Sequence, residues 1–107
     1  MMDNLTITAS GQVLIQEDPG DSPYLATIWS YDIATWALAA VAQHDPARFR
    51  EGGESFLTED EESSGIVDVS EILGDGWVLL VVQAHYDHGD PELVEGGQLL
   101  AMRVPRR

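Results

Sequence analysis

Nineteen aspartates and glutamates stand against five arginines and no lysine, a formal charge of -14, so any chemistry here begins with carboxylate oxygens. Such an excess is relieved by solvation of a polar surface or by hard cations, which favour oxygen ligands. Glu17-Asp18 follows a strand-like run and opens the glycine-containing loop Pro19-Gly20-Asp21-Ser22-Pro23. That geometry can present a carboxylate and backbone carbonyls to calcium at about 2.3 to 2.6 Å, and it equally suits an Asp that stabilises the turn.

Two further sets of oxygens lie elsewhere. Asn4 offers a neutral oxygen at a strand start, where asparagine also bonds local backbone. From Asp87 to Glu95 carboxylates are spaced along a turn-rich loop, calcium-like in chemistry but without EF-hand spacing, and Glu95 beside Gly96-Gly97 is its leading candidate. His85 and His88 have His-x-x-His spacing at a strand end, where alternation points them apart; this favours a hydrogen-bonded His85 beside Gln83 over a zinc site.

Other chemistries are poorly served. With no cysteine there is no thiol nucleophile, disulfide or zinc-thiolate site. Ser63 and Ser64 lack a Gly-x-Ser-x-Gly elbow and a matched base. The acidic charge repels a phosphate backbone, so no nucleic-acid partner is expected. The longest purely apolar run, residues 77 to 82, is far short of a membrane span, and the start Met1-Met2-Asp3-Asn4 lacks the basic and apolar regions of a signal peptide. No membrane partner is expected, and the chain as given reads as unexported.

The elements that must position these groups read as strands. Leu5, Ile7, Val13 and Ile15 alternate around Ser10-Gly11, predicting a hairpin over residues 4 to 16. Residues 27 to 32 are β-branched and aromatic and predict a strand ended by Asp32. Alanines between 33 and 42 favour helix intrinsically, but the hairpin context favours a fourth strand over 38 to 43.

Residues 45 to 64 are polar, with Gly52-Gly53 and Glu59-Asp60-Glu61-Glu62, and predict a long exposed connection. Strands follow at 65 to 69, 76 to 84 and 98 to 104. Trp29, Trp36, Trp77, Tyr24, Tyr31 and Tyr86 are expected to pack between sheets. The pattern predicts an all-β fold of about seven strands, suiting two antiparallel blades of a partial β-propeller. Blade one covers about residues 1 to 44, the connection about 45 to 62 and blade two about 63 to 107.

Three segments carry a family likeness. They are Asp3-Asn4-Leu5 with Gly11 and Leu14-Ile15-Gln16-Glu17-Asp18; Asp60 through Asp68, containing Glu61-Glu62-Ser63-Ser64-Gly65; and Gln83-Ala84-His85-Tyr86 with Glu92 through Leu99, containing Val94-Glu95-Gly96-Gly97-Gln98. Together they resemble the closing part of PhoX-type alkaline phosphatases and their uncharacterised secreted bacterial relatives. The resemblance implies a propeller of several blades whose central channel holds calcium, with iron as well in a complete propeller.

By this resemblance Glu62 sits at the mouth of an innermost strand and is the leading metal ligand, ahead of Glu17 and Glu95, with Asp18 and Asn4 behind them. Glu59 and Asp60 are expected to be surface charge. The resemblance also implies a phosphate ester as substrate, a phosphoric monoester hydrolase activity that needs the remaining blades, and a secreted or periplasmic setting. The alternative is a non-catalytic module whose copies close into a homo-oligomeric ring.

Overall fold

The computed structural model describes residues 1–87, 89–93 and 95–105. Seven strands among them form two antiparallel sheets, and neither sheet closes on itself. The first is a four-stranded meander of β1 (Met2–Ile7), β2 (Gln12–Glu17), β3 (Thr27–Asp32) and β4 (Leu38–Gln43). The second is the meander β5 (Glu61–Asp68), β6 (Trp77–Ala84) and β7 (Gly96–Arg103).

Alternation decides which face of each strand is buried. Along β2, Gln12, Leu14 and Gln16 are buried while Val13, Ile15 and Glu17 are half-buried. Leu14 and Ile28 of the first sheet meet Ile66, Val78 and Leu80 of the second, with Val104 at the edge, and this is the main core. A smaller cluster of Leu25, Phe49, Val82 and Ala84, with Tyr86 against it, closes one end.

Side chains on one sheet satisfy backbone groups on the other. β5 bulges between Ser64 and Val67, with Gly65 at φ 62. A glycine adopts this left-handed conformation without the penalty a Cβ would bring. The bulge frees the Ile66 amide from the ladder, and Gln16 of β2 accepts its proton at 3.2 Å. Asp68 accepts the Ala9 amide at 2.6 Å, and Glu61 accepts the Ala26 amide at 3.0 Å. The Ile66 and Ala26 amides are buried and need partners, so their two bonds fix how the sheets meet, while the Ala9–Asp68 bond is exposed.

Strands β3 and β4 fall where the sequence predicts them, the alanine-rich segment being strand after Asp32 ends β3 by accepting the Ala34 and Thr35 amides. The exposed connection expected up to residue 64 is corrected. It holds a short helix α1 (Pro46–Phe49), started by Asp45 accepting the Ala47 amide and Pro46 in the first turn, and Phe49 is buried. β5 begins at Glu61, and both Glu61 and Ser63 are 1% exposed. A second short helix, α2 (Ser70–Leu73), joins β5 to β6.

The expected packing of every large aromatic between the sheets is also corrected. Trp36 occupies the β3–β4 turn at φ 62 and is 79% exposed, and Tyr24 is exposed too. Trp29 follows the inward Ile28, so alternation sends it to the opposite face.

Candidate functional site

The only buried acid–base pair among the described residues joins the two sheets at one end. His44 directly follows β4, and its amide continues the ladder by donating to the Ala26 carbonyl at 3.1 Å. Glu61 opens β5, with its side chain fully buried. The Ala26 amide donates to Glu61 Oε1, and the His44 Nδ1 lies 2.6 Å from Glu61 Oε2. The two atoms are close but not aligned as a hydrogen bond.

Neither ring nitrogen of His44, nor Glu61 Oε2, has a hydrogen-bond partner among the described residues, and all three atoms are buried. The imidazole is tilted 47° against the Phe49 ring, 5.5 Å away. His44 lines a cavity of about 390 Å³ together with Phe49, Leu57, Val82, Leu100 and Gln98. Sequence reading missed this pair because Glu61 to Ser64 are all polar, and no hydrophobic period reveals which of them face inward. The one available signal was a lone histidine closing an alternating strand.

The predicted metal residues are distributed as follows. Asp18 and Glu62, far apart in sequence, lie close enough for the Asp18 charge to act on the Glu62 carboxyl. Partial burial pushes the Glu62 carboxyl up, and the Asp18 and Asp3 charges add to this, while His85 opposes it. Glu95 is held by His85, Oε1 to Nδ1 at 2.7 Å. That hydrogen bond raises the His85 imidazole, burial opposes it, and the charges of Glu95, Asp60 and Glu62 add. The expected hydrogen-bonded His85 is present with Glu95 as its partner, while His88 lies outside the described residues.

Glu17 and Asn4 are engaged locally. Glu17 Oε2 accepts the Thr27 amide at 3.2 Å, the Asn4 amide donates to Asp3 at 2.6 Å, and Asp18 also accepts the Gly20 amide at 2.9 Å. Among the described residues no group of three or more His, Asp or Glu side chains is gathered to hold a metal. Calcium takes about six to eight oxygens, so Asp18 and Glu62 fit only as part of its shell. Gly96 has a packing reason instead, since a Cβ there would collide with the Tyr86 ring.

The faces turned away from the core are also apolar. Across the first sheet, Leu5, Ile15, Trp29 and Ala40 lie in one cross-strand row, and Ile7, Val13, Tyr31 and Leu38 in the next. On the second, Val67, Leu79 and Ala101 form one row, and Val81 and Leu99 belong to another. Leu5, Ile7, Leu38, Val67 and Leu99 are more than half exposed.

Fold and site define an all-β protein of two packed antiparallel sheets with an apolar face on either side. Comparison with known proteins finds no family model, no curated protein and no solved structure that matches the chain.

Proposed function

We propose that this chain is a two-blade section of a propeller-type phosphoesterase, active on a phosphate monoester when further blades cover its outer faces. The observation that carries the reading is the pair of apolar faces on opposite sides of one sheet pair. A sheet in a sandwich at the surface needs one apolar face, whereas a blade inside a propeller buries both. The likeness of three segments to PhoX-type phosphatases supplies the reaction class.

In this reading Asp18 and Glu62 contribute carboxylates to a calcium site that other blades complete, beside the strands β2 and β5 that bring them together. A divalent cation, when bound, polarises the ester and offsets the repulsion between carboxylates and phosphate. Iron belongs only to the complete propeller. Burial first and then the neighbouring Asp18 charge push the Glu62 carboxyl up, and a bound cation would favour its charged form against both.

The test is the melting midpoint with and without millimolar calcium, and hydrolysis of p-nitrophenyl phosphate by the assembled species. Calcium should raise the midpoint by a few degrees in the native chain and by less than one degree in the Asp18→Asn, Glu62→Gln double variant. Equal response of both chains, or hydrolysis indifferent to chelation, sinks the proposal.

A second reading is favoured by the sheets' failure to close, which leaves β1, β4, β5 and β7 as edge strands. Copies of the chain then cover one another's faces and close into a homo-oligomeric ring without catalysis.

A further inference from the structure

We propose that the free edge of β7 adds an extended, lysine- or arginine-bearing segment of another polypeptide as a further strand of the second sheet. Bulges and charges keep natural sheet edges from adding strands, and the other three edge strands have them. β1 shifts register between Met2 and Asn4 and carries Asp3, and the β3–β4 ladder skips Val41. β5 shifts between Ser64 and Val67 and carries Glu61, Glu62 and Asp68. By contrast β7 pairs with β6 without a break from Gly96 to Arg103, and it has no charge before Arg103.

The ladder also shows which backbone groups are free. The Val104 amide donates to the Gly76 carbonyl at 2.8 Å, one step beyond the Trp77–Arg103 pair. Alternate residues of an antiparallel strand turn their backbone groups toward the neighbour, so Met102, Leu100 and Gln98 face β6. Gly97, Leu99, Ala101 and Arg103 turn N–H and C=O outward, where no strand among the described residues pairs with them. Residues 97 to 101 are exposed on both faces, so the edge is open from either side. Hydrogen bonds to such an edge supply affinity without a particular sequence, and charge then selects the partner. Asp87, Asp90, Glu92 and Glu95 precede β7 in a chain of charge -14, which draws in a basic segment and repels a second copy.

The probe is an acetylated, amidated peptide of alternating lysine and valine, as long as β7. Heteronuclear NMR of the full chain should show saturable binding that slows hydrogen exchange at Gly97, Leu99 and Ala101 by at least about tenfold. The same peptide with glutamate for lysine, or N-methylated throughout, should not bind. Leu99→Pro removes the central outward donor without breaking a bond to β6 and should abolish binding. Absence of saturable binding, equal binding of either control peptide, or unchanged exchange at those three amides overturns the proposal, as does full binding to a folded Leu99→Pro chain. Protection of these amides that rises with protein concentration alone assigns the edge to a second copy and overturns it too. None of these outcomes depends on calcium or on phosphate hydrolysis.

Discussion

His85 follows β6 and Glu95 precedes β7, so the excursion between the strands returns one carboxylate to an imidazole at 2.7 Å. The hydrogen bond favours the charged ring and raises its folded-state pKa above the ordinary histidine value of 6.5. A raised histidine contributes stability that is full below its unfolded pKa and fades as pH climbs through the folded one. The His85 NMR titration midpoint should therefore lie above 6.5 and fall on Glu95→Gln, whose stability should decline less between neutral and mildly alkaline pH. An unchanged midpoint would mean that the pair is not formed in solution. Both side chains are about a third or more exposed, so the energetic worth is that of a surface pair. Sequence reading found both residues but assigned them to different chemistries. Spacing along a chain says nothing about which loop ends meet. The same limit hid Glu61 and His44, whose pairing depends on two sheets docking.

At the scale of elements, the β-branched and aromatic runs made β3 and β4 legible, even where alanines argued for helix, because a strand already has a neighbour to pair with. The start of β5 was not legible, since its buried side chains at 61 and 63 are polar. Its bulge is where the docking is most exposed to a single change. Gln16 is fully buried and accepts the Ile66 amide that Gly65 turns out of the ladder. Gln16→Leu keeps the volume and removes the acceptor, leaving that amide unsatisfied at a cost of about 1 to 3 kcal/mol. Urea denaturation of native and variant chains measures the difference, and hydrogen exchange at Ile66 should accelerate with it. A variant as stable as the native chain, with Ile66 still protected, would show that the bulge is satisfied by another route.

For the whole molecule, two forces of opposite sign act on the outer faces. Exposed Leu5, Ile7, Leu38, Val67 and Leu99 favour burial against another sheet, at about 25 cal/mol per Å² of apolar surface covered. The charge of -14 opposes bringing any two copies together. Salt separates the two, because the screening length falls from about 30 Å at 0.01 M to about 8 Å at 0.15 M, while apolar burial is not weakened. If copies cover one another, light scattering should find a monomer at low ionic strength and a larger closed species as salt and protein concentration rise. Leu5→Lys on one face or Val81→Lys on the other should each hold the chain monomeric at all salt concentrations, since a head-to-tail contact needs both faces. A monomer throughout would reserve these faces for blades of different sequence, as the phosphoesterase reading requires. If only one variant blocks association, the contact is face to its own like face, and a closed ring of copies is ruled out.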